Sequence, residues 1–299
     1  MRHRRKGPSP GSPLCCDRRH TSFSRTLAEN ALIRNAFAFT IEENLSASAR
    51  ATDALQKHPA SEEPTLSGWG LMHQAKQPMF QELQKHYPIR HAAASTAMDS
   101  WDSFIPPAPL LHNYRWEDVK TFVDIGGGRG PVSIALARLS LATKFVVQEL
   151  EVPSNVQLPA DVQDRVTFMA HDMFQPQPVK DADVYFFRSV FHDWPDKYCV
   201  KILLALIPGL KPGARVVIND ACMPPAGTLP PAANRVKRQW DLNMMLLFNG
   251  LDREETDWAH LFERADKRFK FLGVKTPTKN VEGVPPAFLL NIIEAVWEP

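Results

Sequence analysis

The sequence predicts an α/β fold: a mostly parallel sheet, a C-terminal antiparallel hairpin at one end of it, and a helical segment in front. Three observations carry this expectation. Short apolar runs at 121–125, 144–147, 166–169, 184–187 and 215–218 alternate with helical patterns, and such alternation builds parallel strands covered on both faces. The first run ends in Asp124 and enters a glycine turn, Gly126-Gly127-Gly128-Arg129-Gly130. Two late β-rich runs, 269–274 and 288–297, have no long helix between them, which suits an antiparallel pair.

Taken in order, the chain opens on Arg2, Arg4, Arg5 and Lys6 within a mixture of Arg, Ser, Pro and Gly. That composition buries too little surface to offset ordering entropy, so residues 1–24 read as a disordered basic tail. Residues 25–108 read as a helical N-terminal segment, broken by polar stretches such as 57–64 and free of strand-like alternation. Ile105-Pro106-Pro107-Ala108-Pro109 ends it, because proline removes backbone donors and disfavours helix in the residue before it. The sheet domain is expected over 109–299.

At 299 residues and 44% apolar content the chain makes one or two domains with a substantial core. A net charge of +2 is too small to imply a nucleic-acid partner. No window approaches the roughly 18 apolar residues of a membrane span, and the start lacks the apolar centre of a secretory signal. A cytoplasmic location without a membrane partner is expected. Cys15, Cys16, Cys199 and Cys222 have the spacing of neither a zinc site nor a disulfide framework. Cys199 and Cys222 read as buried thiols, and no metal is expected.

The glycine turn is where a nucleotide-type ligand would approach, since glycine turns tightly and offers no Cβ. A dinucleotide fingerprint starting at Gly126 would end on Pro131, and no Lys-Ser or Lys-Thr closes the turn as in a P-loop. Pro131 instead suits the first turn of a helix. Glu149, at the end of the second strand, is placed to accept hydrogen bonds from a ribose diol. In His171-Asp172-Met173-Phe174, after the third strand, Asp172 is a candidate for an adenine amino group and Met173 for its ring face. His192 follows the fourth strand and precedes a helix start marked by Asp193, Pro195 and Asp196. Open α/β sheets bind ligands at such strand ends.

These pieces, with Arg188-Ser189-Val190-Phe191-His192-Asp193-Trp194-Pro195-Asp196, Leu210-Lys211-Pro212-Gly213-Ala214 and Asn219-Asp220, resemble the caffeate-type small-molecule O-methyltransferases of plants and fungi. The match is closest to fungal secondary-metabolism members, and it covers about residue 37 to the C-terminus. The resemblance implies a Rossmann-like class I methyltransferase sheet, S-adenosylmethionine held by Asp124, Gly126, Gly128, Glu149, Asp172, Met173 and Arg188, and His192 as general base. Two acids, commonly glutamates in plant members, map to Asp220 and Asp252, aspartates one methylene shorter. Asp252 also reads as a solvated loop acid paired to Arg253. An aromatic acceptor would meet Met244 and Phe248 in the helical run 240–248, a stripe that reads equally as plain core.

Chemistry supports the base independently of the resemblance. A phenol with a reference pKa of about 10 is a poor nucleophile until its proton is removed, and an imidazole can accept that proton. The implied reaction is O-methylation of a phenolic or enolic hydroxyl on an aromatic, polyketide-like metabolite. A non-methylating cyclisation or rearrangement on the same scaffold, and an inactive remnant, are the alternatives. Family members carry a longer, winged-helix-like N-terminal module that dimerises and helps to close the acceptor site. Met1 to Ser24 resemble nothing in it, so the homodimer implied by the resemblance has no counterpart in this stretch of sequence.

Overall fold

A computed structural model describes residues 20–153, 156–279, 281–285 and 288–299. The first half is helical: α1 (Ser22–Glu29), α2 (Ala31–Phe39), a π-helical stretch Thr40–Leu45, α3 (Ser46–Ser48), α4 (Ala51–Lys57), α5 (Gly68–His73), α6 (Met79–His86), α7 (Pro88–Phe104) and α8 (Ala108–Asn113). Helix α1 corrects the end of the expected tail. The Thr21 side chain accepts the Ser24 N–H at 3.1 Å and caps a helix from Ser22, while residues 1–19 lie outside the described residues. The π-helical stretch is fastened by Glu43, which is buried and accepts hydrogen bonds from Trp69 Nε1 at 2.6 Å and Arg90 Nη2 at 2.7 Å.

The second half alternates as expected: β1 (Thr121–Ile125), α9 (Pro131–Leu139), β2 (Lys144–Glu149), β3 (Val166–Ala170), β4 (Val184–Arg188), α10 (Asp196–Leu206), β5 (Arg215–Asp220), α11 (Pro231–Phe248), α12 (Glu255–Ala265), β6 (Phe269–Lys275) and β7 (Asn291–Trp297). The sheet order is β3-β2-β1-β4-β5-β7-β6. Strands β1 to β5 pair in parallel, and β7 runs antiparallel to both β5 and β6. The hairpin of the sequence reading is present, with β7 inserted against β5 and β6 on the sheet edge.

Alternation along β4 shows how the sheet is covered. Tyr185 and Phe187 enter one core with Ile202, Leu203 and Trp258, whereas Val184 and Phe186 enter the other with Val132, Leu136 and Phe145. Each fully buried aromatic or aliphatic side chain contributes about 1.5 to 3 kcal/mol. A third core joins Trp69, Met79 and Leu83 of the N-terminal helices to Leu246, Leu247 and Phe248 of α11. Helix α11 therefore packs with the helical segment, although it lies far beyond the proline-rich stretch in sequence. No helix among the described residues is long and apolar enough to cross a membrane.

Candidate active site

The strand order reverses around β1, with β2 on one side and β4 on the other, and the crevice beyond such a reversal is where these sheets take ligands. Gly126, Gly128 and Gly130 have φ of 70°, 58° and 75°, in the left-handed region that glycine occupies without strain. Space is tight on one side of the turn and open on the other. A Cβ on Gly126 would stand 2.9 Å from Val190 Cγ2, whereas one on Gly128 would meet nothing within 4 Å.

Two acids hold this turn. Asp124 is buried and accepts the Ser133 hydroxyl at 2.6 Å; burial pushes its carboxyl up to about 6. Glu149 Oε1 accepts the Gly128 N–H at 2.7 Å, and Oε2 accepts that of Leu150 at 3.3 Å. Burial pushes this carboxyl up as well. The next strand end is tied to it, His171 N–H donating to the Glu149 carbonyl at 2.8 Å. There Asp172 Oδ1 accepts the Phe174 N–H at 3.0 Å, and Met173 packs against the sheet core. Arg188, at the end of β4, donates through Nη2 to the Ile105 carbonyl rather than extending into solvent. The structure thus gathers Asp124, Gly126, Gly128 and Glu149 around one turn, with Asp172, Met173 and Arg188 on the flanking strand ends.

Beyond β4 the chain passes through Ser189, at a left-handed φ of 50°, into a single 3-10 turn, Phe191–Asp193. This turn presents His192. Asp220 grips it twice: Oδ2 accepts the His192 backbone N–H at 3.1 Å, and Oδ1 lies 3.1 Å from Nδ1. Asp252 Oδ1 is 3.6 Å from the same nitrogen, and Asp193 Oδ1 is 3.6 Å from Nε2. The ring keeps 18% of its surface exposed while the Asp220 side chain has none. Burial alone would pull the imidazole pKa down, but Asp220, Asp193 and Asp252 outweigh it and push it up to about 10. Burial pushes Asp193 up to about 7 and raises Asp220.

The solvated-pair reading of Asp252 and Arg253 is corrected. Both are buried, and Arg253 donates to the carbonyls of Phe191 at 3.0 Å and Trp194 at 2.9 Å and to Asp196 Oδ1 at 2.9 Å. It clamps the turn that carries His192. Gly250 lets this segment approach: an added Cβ would fall 2.1 Å from the His192 carbonyl oxygen, which already accepts the Leu251 N–H at 3.1 Å. Gly250, Ser133, Arg253 and Asp241, whose Oδ1 accepts the Asp252 N–H at 2.9 Å, were not legible as site residues in the sequence. Their roles depend on approaches between distant segments.

Met244 and Phe248 lie in the core between α11 and the N-terminal helices, Phe248 stacking on Phe80 at 5.6 Å between centroids. They are 6% and 7% exposed, so the plain-core side of the sequence reading describes their placement. The donor atoms of His192, Asp220 and Asp252 lie within 4.8 Å of one another. Nδ1 faces both carboxylates, so a proton carried on that nitrogen would compete with any small cation there.

An O-methyltransferase domain model matches residues 74–268. The chain is 38% identical over 289 residues to a grayanic acid biosynthesis cluster O-methyltransferase of Cladonia grayi, covering 94% of this chain and 58% of the relative. It is 35% identical to the O-methyltransferase AMT9 of Alternaria alternata, covering 100% of this chain and 68% of that one. The chain belongs to the O-methyltransferase family. It spans 58% to 68% of the length of these two relatives. Among solved structures, OxaC in complex with sinefungin and meleagrin superimposes with a TM-score of 0.73 at 25% identity, covering 93% of this chain and 70% of that one.

Proposed function

We propose that this O-methyltransferase-family chain moves a methyl group from S-adenosylmethionine to a phenolic or enolic hydroxyl of an aromatic, polyketide-like acceptor, with His192 as general base. The observation that carries the reading is the 3.1 Å contact of His192 Nδ1 with Asp220, at a strand end beside the glycine turn. The cofactor, when bound, supplies an electrophilic methyl on a sulfonium. Fit to it rests on Gly128, which faces open space, and on Glu149, whose anchored oxygens keep lone pairs for a ribose diol. The complex of OxaC with sinefungin and the names of the fungal relatives agree with this assignment.

The residues divide the work. Asp220 holds the imidazole by ring and backbone, so that Nδ1 keeps its proton and Nε2 is the basic nitrogen. His192 then takes the acceptor's hydroxyl proton, and Asp220 and Asp252 stabilise the imidazolium that results. Asp193, 3.6 Å from Nε2, is the carboxylate beside the nitrogen that this reading assigns to the acceptor's proton. Incubating the purified chain with methyl-labelled cofactor and a panel of phenols, followed by mass spectrometry, tests the reaction class. Label on an acceptor oxygen is expected; an isomerised product carrying no label would instead support the cyclisation alternative and sink this reading.

A further inference from the structure

Lys237 lies on α11 and is only 8% exposed. Lysine is rarely buried to this degree unless paired, yet its ammonium forms no hydrogen bond or ion pair with another described residue. Its opposite charges are Asp252 and Asp220, with the Cys222 thiol beside them; burial pulls the amine's pKa down and these groups pull it back up. Helix geometry explains the placement. Asp241, one turn further along α11, takes the Asp252 N–H at 2.9 Å, so the Lys237 and Asp241 face of the helix lies along the 251–253 segment. Cys222 pairs with Arg253 in an isolated bridge, which brings the residues after β5 to the same face. Asp252 Oδ1 is itself buried without a hydrogen-bond partner. A largely buried lysine without a hydrogen bond or ion pair, and a buried carboxylate oxygen whose only close contact is the 3.6 Å approach to His192 Nδ1, therefore lie on the same side of His192 among the described residues.

The charges around His192 come from every element packed on it: Asp193 on its own turn, Asp220 at the end of β5, and Asp252 after α11. Arg253 is committed to Phe191, Trp194 and Asp196. A histidine among three carboxylates holds its proton tightly, whereas a general base works best when it releases one near the operating pH. We propose that Lys237 is a positioning residue for the base, its ammonium offsetting the Asp252 and Asp220 carboxylates and so setting the pH at which His192 is free to take the acceptor's proton. This rests on the role of His192 as general base proposed above.

The His192, Asp220 and Asp252 cluster titrates as a unit. Removing one positive charge raises the proton affinity of the whole unit. The test is a pH titration of the His192 ring by nitrogen-15 NMR in the full chain, without cofactor or acceptor, for wild type, Lys237→Met and Lys237→Arg. This readout needs no turnover, so it stays informative even if the chain proves inactive and the functional reading fails. The midpoint is expected to move to higher pH by about one unit in Lys237→Met and to stay near wild type in Lys237→Arg. The acid limb of kcat/KM should move in the same direction. If Lys237→Met does not fold, Lys237→Gln makes the same comparison. A folded Met or Gln variant with an unmoved midpoint overturns the proposal, and a raised acceptor KM with that unmoved midpoint would assign Lys237 to acceptor binding instead.

Discussion

The two halves of the site are built differently. At the glycine turn, Asp124, Gly128 and Glu149 come from consecutive strand ends, and each is held by a neighbour in the same β-α-β unit, Ser133 or the turn itself. At the proposed base, His192 follows β4, Asp220 ends β5 and Asp252 follows α11, and Asp252 reaches the histidine because the 250–253 segment presses onto the histidine's own turn. The first half is local, so it is expected to withstand changes elsewhere. The second depends on packing across the molecule, so it is the part that damage at a distance should disable first.

This contrast can be broken by separating binding from turnover. The largest effect short of removing the histidine is expected in Asp220→Asn, which keeps the shape but favours the wrong tautomer. A fall in kcat of about 10²-fold or more is predicted, with cofactor affinity retained, by steady-state kinetics and equilibrium binding. Glu149→Ala should do the opposite, weakening cofactor binding by about 10- to 100-fold in a calorimetric titration, while kcat at saturating cofactor stays near wild type. Gly250→Ala forces a Cβ to within 2.1 Å of the His192 carbonyl oxygen. It should lower stability by about 2 to 4 kcal/mol in denaturant unfolding and lower kcat more than cofactor affinity. The smallest effect sharpens the account of the three clustered donors: treatment with a chelator should leave methyl transfer unchanged, and loss of activity restored by a divalent cation would place an ion where we place a proton.

The same division explains what could be read from the sequence. The five parallel strands, the glycine turn and Glu149 were legible because strand periodicity, glycine and a following acid are local signals. His192 was legible through its place between an apolar strand and a helix start, and Asp220 and Asp252 through resemblance. Spacing alone gives no sign that residues 220 and 252 meet. The burial of Asp252 and Arg253 was not legible, since a loop Asp-Arg pair looks solvated until its segment is seen clamped on Phe191 and Trp194. Lys237 and Asp241 look like the polar face of a helix for the same reason. For Met244 and Phe248 the helix was evident, but which surface they face was decided by Phe80 and the N-terminal helices. The end of the tail was missed because one capping threonine starts a helix that composition does not reveal.

The central claim is that His192 removes the acceptor's proton while a separate, locally built turn holds the cofactor. Measuring kcat and cofactor Kd together in His192→Ala tests it most directly. A fall in kcat of about 10² to 10⁴ is expected, with a Kd within about twofold of wild type. A His192→Ala variant that methylates phenols as fast as wild type would contradict it.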